Sequence, residues 1–313
     1  MIVLSPITLG AEMFLSGSVP EVDTDAGEVA WSASPVAAVG DERVYNRRVW
    51  KCTLVPPDPA KTPDKDPQSW QDMRPSNRWA PFDKYISTKQ VGRKGQVDYV
   101  IKPGFCNGLD LEGLKGSRLQ ISIKDGPLPT DADLIDPVDV SLRVRPAGWR
   151  SYWFGRKLQI TKHRLDKLPL NPNAVIRVTV LDAVDADVGI GFFSIGDWIN
   201  FGIASRGLES GAMYGARAEM VNFSYRKDND DGTYELLPRG WAVNVSIPVT
   251  VDANEANRLF DVVRRLANTP VSVYASTRDR DRFLSTVGLV STDFTREITD
   301  FTNLNVYVKG VLQ

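Results

Sequence analysis

Histidine is almost missing from this chain, cysteine is scarce, and neither a charge sign nor a long apolar run dominates it. His163 is the single imidazole among 313 residues. Zinc hydrolase sites, Ser-His-Asp triads and Cys-His pairs nearly all need at least one well-placed imidazole. His163 stands in Thr161-Lys162-His163-Arg164, a cation-rich stretch where a solvated surface histidine is expected. The sequence thus points away from an enzyme, with no catalytic set and no cofactor expected. Cys52 and Cys106 match no zinc spacing and are too few for a disulfide framework, so both are expected as small buried residues. The 38 Lys and Arg nearly cancel the 39 Asp and Glu and are interspersed with them, so no nucleic-acid specificity is expected. Nowhere do 18 apolar residues run together, so no membrane span is expected. The opening Met1-Ile2-Val3-Leu4 lacks a basic flank and a sustained apolar core, which predicts no signal peptide and synthesis in the cytoplasm.

What is present divides into three parts. Residues 1–28 carry a short apolar start, then Gly17, Pro20 and the acids Glu21, Asp23, Asp25 and Glu28, with no period of either kind. This reads as an N-terminal arm or linker, ordered against a neighbouring subunit. Residues 29–85 are dense in aromatics: Trp31, Tyr45, Trp50, Trp70, Trp79, Phe82 and Tyr85. Within them Glu42 to Tyr45 and Arg48 to Cys52 read as strands, joined by Asn46-Arg47 as a tight turn because Asn tolerates positive φ. Five prolines between Pro56 and Pro67 exclude helix and central strand there.

Residues 86–313 read as repeated strands with polar breaks. They are expected near 119–124, 138–145, 158–162, 175–181, 192–195, 219–225, 242–251, 271–275 and 305–311. Leu119, Ile121 and Ile123 alternate with Gln120, Ser122 and Lys124, as a half-buried strand requires. One helix is expected at 253–268, where Leu259, Val262, Val263 and Leu266 fall at i, i+3, i+4 and i+7 behind an Asp252 cap, and Pro270 closes it. The fold class is therefore mainly β: a small aromatic β module followed by an antiparallel β-sandwich region with one packed helix.

The aromatic module supports two readings from the same residues. Its interior is small, so Trp31, Tyr45, Trp50, Trp70 and Trp79 either form a mini-core or stand exposed as a sugar-stacking platform. Gly40-Asp41 reads as turn chemistry. Asp228-Asn229-Asp230-Asp231-Gly232 departs from the calcium-loop order and reads as a solvated hairpin tip, and no metal site is expected. Arg278 to Arg282 alternates charge and reads as a surface turn or the rim of a subunit contact. Carboxylate pairs for glycoside hydrolysis are spatial and name no residues in a sequence.

Trp31, Gly40-Asp41, Val44-Tyr45, Trp50 and Trp70 together resemble the small chitin- and cellulose-binding modules, in which exposed aromatics stack on pyranose rings. Farther on, Ser76-Asn77-Arg78-Trp79-Ala80-Pro81-Phe82-Asp83 is similar to the signature that follows this module in tailed-bacteriophage structural proteins. Gly148-Trp149-Arg150-Ser151-Tyr152-Trp153-Phe154, Val175 to Val180, Ile190 to Phe193, Asn222 to Lys227 and Phe260 to Pro270 resemble later segments of the same proteins in order and spacing. The resemblance implies a virion component of tail, neck or baseplate. Its implied partners are other virion structural proteins and further copies of itself, and a host-surface glycan if the module serves adsorption.

Overall fold

The computed structural model describes every residue except 25–26, 84–85, 87–90, 147, 156–157, 203–211, 229–232, 277, 297–300 and 312–313. Asp25, Tyr85 and the expected tip at 229–232 therefore lie outside the described residues. In chain order the strands are β1 (Ile2–Pro6), β2 (Phe14–Gly17), β3 (Glu42–Tyr45), β4 (Arg48–Cys52), β5 (Trp70–Pro75), β6 (Val91–Lys94), β7 (Gln96–Ile101), β8 (Gly108–Glu112), β9 (Arg118–Lys124) and β10 (Val138–Ser141). A short helix α1 (Trp149–Phe154) precedes β11 (Lys162–Leu165), β12 (Val175–Leu181), β13 (Asp187–Ile190), β14 (Phe192–Asn200), β15 (Arg217–Asn222), β16 (Tyr225–Asp228), β17 (Tyr234–Leu237) and β18 (Trp241–Asp252). Helix α2 (Ala253–Leu266), β19 (Val271–Tyr274), β20 (Ser285–Arg296) and β21 (Phe301–Gly310) complete the fold.

The protein is mainly β, and its named strands pair antiparallel. A nine-stranded sheet runs β11-β8-β14-β1-β19-β20-β21-β18-β15, and a five-stranded sheet runs β10-β9-β12-β7-β2. The five-stranded sheet packs over one end of the larger one. Leu119, Ile121 and Ile123 of β9 and Ile176, Val178 and Val180 of β12 meet Leu109 and Leu111 of β8 and Phe193 and Ile195 of β14. The other end of the large sheet is covered by α2, whose Leu259, Val262, Val263 and Leu266 pack on β18, β20 and β21. Asp252 caps that helix as expected, its Oδ1 accepting the Asn254 N–H at 2.9 Å.

Side chains alternate along a strand, so the face opposite Leu109 and Leu111 carries Asp110 and Glu112. The Tyr274 hydroxyl of β19 reaches Asp110 Oδ1 at 2.6 Å, although β14 and β1 lie between their strands. Three strand spacings on a flat sheet are about 14 Å, beyond the reach of those two side chains. The large sheet is therefore curled, concave on the Asp110 face and convex toward its two apolar cores.

The N-terminal residues correct the sequence reading. The expected arm over 1–28 contains β1, which sits in the middle of the large sheet between β14 and β19. Met1, Val3 and Leu4 are fully buried. A strand covered on both faces shows a continuous apolar run and no alternation, which hides it from a search for period two. Residues 14–17 form an edge strand, and the acidic stretch after them is pinned down. Glu21 accepts the Arg47 N–H, and Asp23 accepts from Asn77 at 3.2 Å. Elsewhere, the strand expected at 158–162 begins at Lys162, leaving Gln159 as an isolated bridge to Arg143, and the one expected at 138–145 ends at Ser141.

Candidate interaction surfaces

The module expected at 29–85 is a three-stranded sheet, β3-β4-β5, with its own small core of Ala37, Cys52 and Trp70 flanked by Trp31 and Trp50. The β3–β4 turn falls at Asn46-Arg47, both at positive φ (46° and 68°). Gly40 takes φ +97°, and Asp41 accepts the Ala38 N–H at 3.1 Å, the turn chemistry the sequence implied. Both cysteines are buried and free.

The five aromatic candidates separate. Trp70 is buried at 3 % exposure in the mini-core, and its indole face is closed to a ligand. Trp79 belongs to the body: it packs in the larger core against Phe14 at 4.7 Å, with the Arg47 guanidinium 4.5 Å above its ring. These two drop out of the stacking platform because a sugar cannot displace their neighbours. Trp31, Tyr45 and Trp50 remain half-buried on the module. The Trp31 and Tyr45 rings meet at 5.2 Å with planes 70° apart, and Trp50 Nε1 donates to the Tyr45 carbonyl at 3.1 Å. Three clustered aromatics are thus held in fixed orientations, but the Trp31 and Tyr45 rings do not form one flat shelf.

Two other surfaces are more exposed than the module. In α1, Trp149, Trp153 and Phe154 are 74 %, 71 % and 80 % exposed, and Tyr152 stands out with them. The helix is a six-residue turn closed by Gly148 and Ser151, whose hydroxyl accepts the Gly148 N–H at 3.1 Å. Among the described residues its aromatics make one ring contact, Tyr152 with Trp153 at 5.2 Å. The second surface is the β16–β17 hairpin, which forms a two-stranded sheet by itself. Every residue of both strands is exposed, among them Tyr225, Tyr234, Leu236 and Leu237. Ser224 and Arg239 bond across its base, and Arg226 lies 4.5 Å over the Tyr234 ring. The sequence reading placed α1 only within a resemblance and ended a strand at Tyr225. The hairpin's signal was the pairing of apolar and charged residues on either side of the acidic tip.

Buried acids occupy the concave face. Asp110 and Glu112 have almost no exposure, and Lys162 Nζ lies 2.9 Å from Glu112. Burial pushes the Glu112 carboxyl up to about 7, with Lys162 opposing and Asp110 reinforcing the shift. Burial raises Asp110 too, and it raises Tyr274, whose hydroxyl faces Asp110. Arg164 covers Tyr274, its guanidinium 4.6 Å from the ring. His163 is half-buried in β11, not solvated as expected. Burial, then Arg282 and Arg164, holds its imidazole below its ordinary pKa.

No family model, curated protein or solved structure matches the chain.

Proposed function

We propose that this chain is a structural component of a tailed-phage particle, in the tail, neck or baseplate, and that it works through contacts with other subunits. The β16–β17 hairpin carries the reading. A two-stranded hairpin is marginal in water without a surface to pack on, yet this one keeps four large apolar side chains exposed on its own chain. The α1 aromatics present the same mismatch, and surplus exposed apolar area of this kind marks an interaction site. The resemblance of the module, the segment after it and the later segments to tailed-phage structural proteins supplies the setting. The small module stands on the outside of the assembly. Quantitative mass spectrometry of density-purified particles tests the reading: the chain is expected at a fixed copy number per particle, and its absence from intact particles overturns the proposal.

The second reading is adsorption to a host-surface glycan through the module, favoured by the half-exposed Trp31, Tyr45 and Trp50. Trp50→Ala separates the two. Loss of retention on a polysaccharide column with folding intact supports glycan binding, whereas unchanged retention or no retention by the parent chain removes it.

A further inference from the structure

The edge strand β11 borders a pocket of about 340 Å³ lined by Lys162, His163, Arg164, Arg278 and Arg282, with Ser276 beside them. Among the described residues no carboxylate lines it. Two of these cations answer to the buried acids: in the antiparallel register Lys162 stands opposite Glu112 and Arg164 opposite Asp110. Arg278 and Arg282 are added from the turn after β19, and both are exposed. The cations are held in place before any ligand arrives. Lys162 Nζ lies 2.9 Å from Glu112, the Arg164 guanidinium sits 4.6 Å from the Tyr274 ring, and Arg282 donates to the Lys162 carbonyl at 2.6 Å. Lysine carries three N–H donors and arginine five, so one contact each leaves Lys162 and Arg282 with donors for a ligand. His163 Nε2 is shielded from water and meets no hydrogen-bond partner among the described residues. Burial, then Arg282 and Arg164, holds that imidazole below its ordinary pKa, so it senses the positive field of the pocket.

We propose that this pocket binds a small ligand through a doubly charged oxyanion of the phosphate type. Forked guanidinium groups match phosphate oxygens two at a time, and the lysine adds a point charge. Groups already fixed by their neighbours lose little freedom on binding, which favours affinity. At about 340 Å³ the pocket lies at the small end of ligand sites, roughly 300–1,000 Å³. It therefore has room for more than the anion, and a body of sugar size would rest against Val140, Ile160 and the Ser276 hydroxyl. An oxyanion seated beside His163 favours the charged imidazole and raises its pKa. The proposal does not depend on the subunit-contact reading.

His163 is the single imidazole of the chain, so a carbon-13 label on histidine gives one Cε1–H signal in NMR that watches the pocket. The full chain is titrated with inorganic phosphate and with glucose 6-phosphate, at constant ionic strength set by chloride. Both are expected to shift that signal saturably, with half-saturation below about 1 mM, and to raise its titration midpoint. Tighter binding of the sugar phosphate assigns the site to a phosphorylated body, and equal binding assigns it to free phosphate; either supports the pocket. Arg278→Ser/Arg282→Ser should weaken binding at least about tenfold with an unchanged circular dichroism spectrum. Arg278→Ser alone leaves the Arg282 bond to the Lys162 carbonyl in place and should still weaken binding several-fold. No saturable shift by about 10 mM phosphate, or the same shift from chloride alone, overturns the site. So does parent-like affinity in the double variant. Affinity for a single-stranded oligonucleotide that exceeds that for glucose 6-phosphate and grows with its length would assign the cations to a nucleic-acid backbone and also overturn the proposal.

Discussion

Replacing Trp70 by alanine should unfold the small module while leaving the body intact. Trp70 fills the module's core between Ala37 and Cys52, with Trp31 and Trp50 on its flanks. Truncating a buried tryptophan costs about 3–5 kcal/mol. Its buried Nε1 meets no acceptor among the described residues, and removing such a donor returns about 1 kcal/mol. The net cost is therefore about 3 kcal/mol, a large share of what a three-stranded unit can hold. Trp70→Phe keeps the ring and drops the unpaired N–H, and should cost under about 1.5 kcal/mol. Trp50→Ala loses half-buried area and the bond to the Tyr45 carbonyl, about 1–2 kcal/mol. Hydrogen exchange of the intact chain, read by mass spectrometry on peptides covering β3 to β5, reports all three. Trp70→Ala should speed exchange there by roughly 100-fold, at about tenfold per 1.4 kcal/mol, with β7, β9 and β12 unchanged. Exchange within threefold of the parent in Trp70→Ala would show that the mini-core does not hold the module together.

Three further outcomes follow from the body of the protein. Glu112 has a folded pKa of about 7 against an ordinary 4.5, so the native state holds the proton between those values. Its contribution is fully present below pH 4.5 and is lost as pH rises through 7. Unfolding free energies from urea titration should therefore fall from pH 5 to pH 8 in the parent by up to about 3 kcal/mol more than in Glu112→Gln; equal slopes contradict the buried-acid assignment. Asp98 is buried, takes a forked pair of bonds from Arg177 at 3.0 and 2.9 Å, and accepts from Thr179 at 2.8 Å. Asp98→Ala should destabilise the five-stranded sheet by about 1–2 kcal/mol in urea titration, because it strands the buried Thr179 hydroxyl while the half-exposed Arg177 stays hydrated, and no measurable cost would refute this. Gly196→Ala would place a methyl 1.9 Å from the Ser5 carbonyl and push β1 off β14. A drop of several degrees in the melting temperature is expected, and a normal melt would mean the two strands separate more easily than their register implies.

The sequence revealed elements where one face is wet. The β3–β4 hairpin, β9, β12 and α2 were readable because polar residues mark their outer sides, and the fold class followed from counting them. Elements without that contrast were hidden. β1 is apolar on both faces. β8 does alternate but is only five residues long, and its Asp110 and Glu112, which alternation alone would place in water, are buried by the curl. β20 breaks its own period with Thr292, Asp293 and Thr295 on a long, half-covered strand. The interaction surfaces were less legible still, since aromatic density suggests burial and exposure equally. Trp70 and Trp79 turned inward, while Trp149 and Trp153, from the same residue type, turned out. The choice depends on which segments the sheets cover, and that is settled by long-range pairing such as β1 with β14.

Chemical cross-linking of purified particles tests the central claim most directly. Lys227 in β16 and Lys157, which follows α1 in the sequence, are the reporters for the two surfaces assigned to subunit contacts. The account predicts that both lysines link to other polypeptide chains, reproducibly and at a fixed copy number of this protein per particle. Links confined to residues of the same chain, or particles that lack the chain altogether, would contradict it.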